Sequence, residues 1–172
     1  MKIFIAGARA IKTLPKVVEE RLNNIQQKRY SVIIGDADGI DKAVQLYYFN
    51  SKYQDVTVYA SNGKTRNNVG AWRTKAVSVA DNVKGFEFYS MKDRQMAIDA
   101  DYGFMIWNGK SRGTYNNIVN LVEQEKKSLV FLTILQDFIV VDSKEGLKEM
   151  TSLISNISKP CNNEVYEQLK IF

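Results

Sequence analysis

Short apolar runs alternate with longer stretches of helical periodicity along this chain, and that alternation constrains its fold more than any other feature. The runs at residues 2–6, 30–34 and 102–107 are apolar almost throughout. Strands of this kind are typical of a parallel sheet whose crossover helices bury both of its faces. We therefore predict an open, doubly wound α/β fold with a mainly parallel sheet of about five to six strands and helices on both faces.

The remaining elements follow from the same patterns. The segment at 61–75 has the least periodicity, so we interpret it as a functional loop. Thr13 is the expected N-cap of the first helix, and Pro15 fits its first turn. Further strands are expected at 55–60, at 128–134 and, at an edge of the sheet, at 138–141. A short apolar run lies at 86–89. Helices are expected at 14–27, 39–50, 76–83, 91–100, 113–124 and 144–154.

Length and composition indicate one domain. With 172 residues, 45% of them hydrophobic, the chain can bury one sizeable core but not two. We expect the domain at residues 1–154 and a C-terminal extension at 155–172. No apolar run approaches the ~20 residues that cross a bilayer, and Met1-Lys2 leads straight into an apolar strand rather than a signal peptide. A cytoplasmic protein without a membrane partner is therefore expected.

The absence of histidine removes several classes of chemistry. Without histidine, and with Cys161 as the one cysteine, the chain has no Ser-His-Asp or papain-like catalysis and no internal disulfide. Most zinc sites are excluded for the same reason. We expect neither a metal nor another cofactor.

The formal charge of +5 is spread among acids rather than gathered in a run. Residues 62–75, with Arg66 and Trp72, come closest to a basic surface with an aromatic residue. They could contact nucleic acid, or they could be a solvated loop beside a small anionic ligand. Because groove-binding motifs are missing, we favour the small anion and expect no nucleic-acid partner.

Two glycine-rich turns each follow an apolar strand and open a helix. They are Gly35-Asp36-Ala37-Asp38-Gly39-Ile40-Asp41 and Gly109-Lys110-Ser111-Arg112-Gly113-Thr114. Such turns leave unpaired backbone N–H groups at the positive end of a helix dipole, which favours an anion, usually a phosphate. Since loops after parallel strands lie along one rim of the sheet, we expect both turns to meet at one site.

The first of these turns is acidic and allows several roles. Its carboxylates could accept hydrogen bonds from ribose hydroxyls, bind a divalent ion, or cap the next helix through Asp38 or Asp41. Capping alone does not account for Gly35 and Gly39, whose lack of a side chain suits a close approach of the backbone to a ligand. We therefore include this turn in the predicted site.

The segment Gly7-Ala8-Arg9 ends the first strand at the same rim. It lacks the glycines of the dinucleotide-binding pattern, so a standard Rossmann dehydrogenase is not expected. Arg9 either clamps a phosphate or carboxylate through two parallel hydrogen bonds or is an exposed loop arginine.

The second glycine-rich turn resembles the end of a P-loop, but Phe104 stands where that pattern needs a glycine. What remains is a strand-to-helix turn in which Ser111 or Thr114 can meet a phosphate oxygen. Lys92 and Asp93 either reach the same rim or belong to a solvated helix start. Trp107, like Trp72, either stacks on a base or lies in the core.

Taken together, these motifs resemble the SLOG superfamily (SMF/DprA-LOG), in particular its YspA-like branch. The similarity covers residues 1–141 as an ordered series: the strand ending Gly7-Ala8-Arg9, the acidic turn at 35–41, and the segment at 107–114. It implies a Rossmann-like fold that binds nucleotides or nucleotide-derived signals across these loops, often as a homodimer. Some relatives, the cytokinin-activating phosphoribohydrolases and the nucleoside deoxyribosyltransferases, break N-glycosidic bonds.

The resemblance also bears on catalysis. Those enzymes carry a catalytic glutamate three residues after a Gly-Thr pair, and here that position after Gly113-Thr114 is held by Asn117. An amide can hydrogen-bond a ribose hydroxyl but cannot act as a carboxylate nucleophile or base. The candidates that could replace the glutamate are Asp36, Asp38 and Asp93.

We therefore predict binding, for sensing or sequestration, of a nucleotide or nucleotide-derived small molecule. Phosphate is expected on the amides of 109–114 with help from Arg9, and ribose or base near 35–41. The alternative is an N-glycosidic hydrolase or transferase acting on nucleotides through an aspartate, and a structural or protein-interaction role comes third. The expected ligand-binding residues are Gly7, Ala8, Arg9, Gly35, Asp36, Ala37, Asp38, Gly39, Asp41, Arg66, Lys92, Trp107, Asn108, Gly109, Lys110, Ser111, Gly113, Thr114 and Asn117.

Overall fold

Strands and helices alternate along the chain in the structure, a computed structural model that describes residues 1–157. The predicted extension at 155–172 lies, from residue 158 onward, outside the described residues. The elements are β1 (Lys2–Gly7), α1 (Lys16–Gln27), β2 (Ser31–Ile34), α2 (Ile40–Asn50), β3 (Val56–Ser61), β4 (Arg73–Val77), α3 (Gly85–Asp99), β5 (Tyr102–Trp107), α4 (Arg112–Glu123), β6 (Ser128–Leu132), β7 (Asp137–Val141) and α5 (Lys144–Ile157).

The strands form a seven-stranded sheet in the order β4-β3-β2-β1-β5-β6-β7. Neighbouring strands are parallel except at the β6–β7 pair, which is antiparallel. From β1 the chain builds outward to β4 and then returns to place β5 on the other side of β1. This confirms the predicted Rossmann-like, mainly parallel α/β fold and puts its topological switch point between β1 and β5.

Helices cover both faces of the sheet, as predicted. Successive side chains of a strand point to opposite faces, so Ile5 of β1 packs with the helices of one face and Phe4 with those of the other. On the first face α1 and α2 contribute Leu22 and Tyr48 to the core. On the second face α3, α4 and α5 contribute Met96, Ile118, Leu121 and Met150.

The predicted helix at 76–83 is wrong. Arg73–Val77 forms β4, an edge strand whose backbone pairs with β3 in register Val58↔Thr74. Its side chains are mostly exposed, so it lacks the apolar run that marked the other strands. The sheet therefore has seven strands rather than five to six. Because Ser61 ends β3 and β4 begins at Arg73, the predicted loop at 61–75 spans only 62–72.

Two further boundaries differ from the predictions. The apolar run at 86–89 and the helix at 91–100 belong to one helix, α3, which starts at Gly85. Thr13 is not the N-cap of α1. That position is Pro15, whose φ of −62° and ψ of 146° end the preceding loop without a side-chain cap. In residues 1–157 there is no helix with the length and apolar character needed to cross a membrane.

Candidate functional site

A pocket of about 630 Å³ opens where β1 and β5 end side by side. It is lined by the loop that follows β1, the acidic turn before α2, the first half of α3 and the loop that opens α4. Gly7 lies at its floor, where a Cβ atom would come within 2.6 Å of the carbonyl oxygen of Ile106. Ligands of open α/β sheets bind in this crevice, at the switch point of the strand order.

Most residues that the sequence predicted for the site come together here. Among the catalytic candidates, Asp93 lines the pocket. The predicted ligand-binding residues that line it are Gly7, Ala8, Arg9, Ala37, Asp41, Arg66, Lys92, Asn108, Lys110, Ser111, Gly113, Thr114 and Asn117.

Other predicted residues lie beside the pocket without lining it: Gly35, Asp36, Asp38, Gly39, Trp107 and Gly109. Trp107 is buried in the core against Tyr115, and its Nε1 donates a hydrogen bond to the carbonyl oxygen of Ser111. It therefore fixes the loop before α4 rather than stacking on a ligand. Trp72 is also buried, with its Nε1 donating to the carbonyl oxygen of Tyr53.

The N-terminus of α4 is the part of the pocket best suited to an anion. Asn108 Oδ1 accepts from the backbone N–H groups of Lys110 and Ser111, which fixes the loop, and Ser111 caps the helix by accepting from the N–H of Thr114. The N–H groups of Arg112 and Gly113 have no acceptor within residues 1–157. A Cβ at Gly113 would meet nothing within 4 Å, so there is open space beside this first turn at the positive end of the helix.

Asn117 lies one turn further along α4 and also lines the pocket. It is only 5% exposed, and its Oδ1 is buried without a hydrogen-bond partner among residues 1–157. A buried amide oxygen that is left unpaired costs free energy, which a ligand hydroxyl or amine can recover when the side-chain amide turns toward the pocket. The α4 segment thus offers amide donors and an unused side-chain amide within about 6 Å along the helix axis.

The N-terminus of α2, by contrast, is occupied by protein. The N–H of Ile40 donates to the carbonyl oxygen of Ala8 at 3.4 Å, and Asp41 Oδ2 accepts from the N–H of Ala37 at 3.2 Å. Gly39 has a φ of +79°, and a Cβ there would lie 2.5 Å from the backbone of Arg9. A Cβ at Gly35 would lie 2.5 Å from Asp41 Oδ2. Neighbouring protein atoms therefore account for both glycines, and contact of Gly35 and Gly39 with a ligand stays a prediction.

The acidic turn is held in a buried network of charges. Asp36 forms an ion pair with Arg66, which reaches it from the loop at 62–72, and Lys92 of α3 lies between Asp36 and Asp93. Burial by itself raises the pKa of Asp36, but hydrogen bonds from Arg66 and the charge of Lys92 outweigh it and lower that pKa below 3.8. Asp38 is exposed and accepts from Asn67 Nδ2 at 3.3 Å. Asp36 is thus committed to protein contacts.

Asp41 is the pocket carboxyl with the most altered acidity. Burial raises its pKa from 3.8 to about 7, and the like charges of Asp93 and Asp36 act in the same direction, while Lys92 and the Ala37 N–H oppose them. Burial lowers the pKa of Lys92, but the carboxylates of Asp93, Asp41 and Asp36 outweigh it and raise that pKa. Near neutral pH the pocket therefore holds a carboxyl group that can gain or lose a proton.

Sequence reasoning missed one wall of the pocket. It consists mainly of the first half of α3, which was expected to start at residue 91 rather than at Gly85. The apolar run at 86–89 was the available signal, since Phe86 and Tyr89 have the spacing of one helical turn. The missed lining residues are Ala6, Ala10, Gly85, Phe86, Tyr89, Ser90 and Met96.

Unpaired cations surround the open end of α4. Arg9, Lys110 and Arg112 form no ion pair within residues 1–157, whereas Arg66 and Lys92 are neutralised by aspartates. The same residues contain no group of three or more His, Cys, Asp or Glu side chains able to hold a metal ion. The geometry therefore favours an anionic ligand held by amides and guanidinium groups.

Comparison with protein-family models finds no match for this chain, and comparisons with curated proteins and with solved structures find no significant match either.

Proposed function

We propose that this protein binds a nucleotide or nucleotide-derived small molecule, for sensing or sequestration, in the pocket between the ends of β1 and β5. The observation that carries the proposal is the open N-terminus of α4 next to the buried, unpartnered Oδ1 of Asn117. Two free amides with unpaired Arg9 suit a phosphate, and an amide one turn away suits a sugar hydroxyl. A phosphorylated sugar carries both groups at that separation.

The resemblance of the sequence motifs to the SLOG superfamily supports the same ligand class. We keep membership of that superfamily, a homodimeric state and a cytoplasmic location as parts of the proposal. The dimer is tested by sedimentation equilibrium of the full chain.

Cleavage of an N-glycosidic bond is the second candidate, and one observation favours it. Asp93 and Asp41 both line the pocket, and the pKa of Asp41, raised by burial to about 7, allows it to give up a proton near neutral pH. Because Asn117 cannot act as nucleophile or base, cleavage would depend on one of these aspartates.

The test is equilibrium dialysis of the purified chain against AMP, ADP-ribose, NAD and cyclic AMP, followed by mass spectrometry of what the protein retains and of the free solution. The Gly113→Val variant adds its Cβ at the first turn of α4 where no atom lies within 4 Å, so its fold is expected to persist. Gly146→Val is the matched control, since Gly146 lies in the first turn of α5 and its Cβ would make only ordinary contact with Ser143, at 3.5 Å.

We expect at least one compound to be retained intact, with an affinity that falls by at least about tenfold in Gly113→Val and not in Gly146→Val. Retention of none of the compounds, or equal affinity of Gly113→Val and wild type, would contradict the proposed site. A released base in the free solution would establish cleavage instead.

A further inference from the structure

Two aromatic rings from the first half of α3 form a wall of the pocket. Phe86 and Tyr89 lie one helical turn apart, and both line the cavity. Phe86 is 41% exposed, and within residues 1–157 neither ring belongs to the hydrophobic clusters that cover the sheet. Met96 and Ala97 supply the contacts of α3 with the core. The two rings are therefore not required for packing of the sheet.

Guanidinium groups lie over both rings. The Cζ atom of Arg112 is 4.5 Å from the centre of the Phe86 ring, and that of Arg66 is 4.1 Å from the centre of the Tyr89 ring. Arg9, which lacks an acidic partner within residues 1–157, lies 5.8 Å from the Tyr89 ring. Guanidinium planes and aromatic rings are the two kinds of group on which proteins stack planar heteroaromatic rings.

A smaller cavity of about 150 Å³ lies between α3 and α4, beside the aromatic wall and the proposed anion site. It shares Phe86, Gly113 and Asn117 with the main pocket. A molecule whose phosphate contacts the α4 amides can therefore reach Phe86 without leaving the pocket. Asn116 and Asn120 also line this cavity and offer donors and acceptors to the edge of a ring.

The acidic turn is a poorer place for such a ring. Asp36 is bound to Arg66, Gly35 and Gly39 are packed against protein atoms, and both tryptophans are buried. The aromatic wall thus has the stacking surface that the turn at 35–41 lacks.

We infer that Phe86 and Tyr89 form a stacking subsite for a planar heteroaromatic ring of the nucleobase kind, attached to the phosphorylated sugar. The inference rests on the proposed function and narrows it to ligands that carry such a ring. Phe86 is the residue whose side chain distinguishes a ligand with the ring from one without it.

The experiment compares AMP, GMP, CMP and UMP with ribose 5-phosphate by isothermal titration calorimetry of the full chain. We expect at least one of the four nucleotides to bind at least about tenfold more tightly than ribose 5-phosphate, since stacking of one base on an aromatic side chain gives an effect of this size. Phe86→Ala is expected to remove most of that difference and to leave the affinity for ribose 5-phosphate unchanged, while Phe86→Tyr retains it. Phe49→Ala is the matched control, because Phe49 is 53% exposed on α2 and does not line the pocket.

The possible failures separate the two proposals. Equal affinities for the nucleotides and ribose 5-phosphate, unaffected by Phe86→Ala, would overturn the stacking subsite and leave the phosphate site in place. Equal weakening of both ligand types by Phe86→Ala would assign Phe86 a structural role and also overturn the subsite. Absence of binding of any of the five compounds would overturn the proposed function together with the subsite.

Discussion

Arg66 contacts both carboxylate oxygens of Asp36: its Nη2 lies 2.6 Å from Oδ1 and its Nε lies 3.1 Å from Oδ2. The backbone N–H of Arg66 donates to Oδ2 as well, at 3.0 Å. These bonds tie the loop at 62–72 to the acidic turn without a ligand. The network thus gives the pocket one rigid side before any small molecule arrives.

Asp36→Asn is expected to destabilise the protein by about 1–3 kcal/mol, because Arg66 and the buried Lys92 lose a charged acceptor. Urea unfolding measures this loss. Asp38→Asn is the control, since Asp38 is exposed, and it is expected to change the free energy of unfolding by less than about 0.5 kcal/mol.

The pKa of Asp36 is below 3.8 in the folded chain, so its contribution to the free energy of unfolding is present above pH 4 and is lost as the pH falls through the folded pKa. Equal stability of Asp36→Asn and wild type at pH 7 would contradict this assignment.

The contribution of Asp41 to the free energy of unfolding is expected to change with pH in the opposite direction to that of Asp36. Its pKa is about 7 in the folded chain against an ordinary value of 3.8 when unfolded, so between these pH values the folded state binds a proton that the unfolded state has lost. The free energy of unfolding of wild type relative to Asp41→Asn is therefore expected to fall by on the order of 3 kcal/mol as the pH rises from about 4 to 7, and to be constant above that range. Urea unfolding of both proteins at several pH values tests this. If the difference in free energy of unfolding between wild type and Asp41→Asn does not change with pH, Asp41 is ionised in the folded chain over this whole range.

The glycines of the two turns are expected to respond differently to alanine. Gly39→Ala forces a Cβ to within 2.5 Å of the Arg9 backbone at a φ of +79°. The free energy of unfolding is therefore expected to fall by at least about 2 kcal/mol. Gly113→Ala meets no atom within 4 Å and replaces a glycine in a helix, so its stability is expected to rise by about 0.5 kcal/mol. Thermal unfolding of the two variants distinguishes them. Equal melting temperatures would contradict the packing of Gly39 against the loop after β1.

The strands that are buried on both faces could be predicted from the sequence alone. The runs that form β1, β2, β5 and β6 are apolar because helices cover both sides of them, and this signal is local. The edge strand β4 carries no such signal, since its side chains are largely exposed and its pairing with β3 comes from the tertiary structure. The start of α3 at Gly85 was missed because that residue has a φ of +62° and no side-chain cap marks the preceding residue.

The position of the candidate site could be predicted because the carboxyl ends of parallel strands meet at one rim of the sheet. Gly7, Arg9 and Gly113 were expected at one rim from the topology, and Asn117 from the resemblance; all four line one pocket. The partner of each charge was not predictable, because Arg66 reaches Asp36 from a loop thirty residues away. For that reason the sequence could not indicate that Asp36 of the acidic turn is paired with Arg66 within the chain.

Asn117 is expected to show a conflict between stability and binding. Asn117→Leu removes a buried amide oxygen that has no partner within residues 1–157 and puts a stronger helix former in α4, so the free energy of unfolding is expected to rise by about 1 kcal/mol. The same change removes the amide proposed to contact the sugar, so affinity for AMP is expected to fall by at least about tenfold.

Gln26→Met is the matched control for Asn117→Leu, since Gln26 Oε1 is also buried and unpartnered within residues 1–157 but lies on α1, away from the pocket. It is expected to leave AMP binding unchanged. Urea unfolding and calorimetric titration of both variants supply the two measurements. Stabilisation of Asn117→Leu with unaltered AMP binding would remove Asn117 from the proposed site.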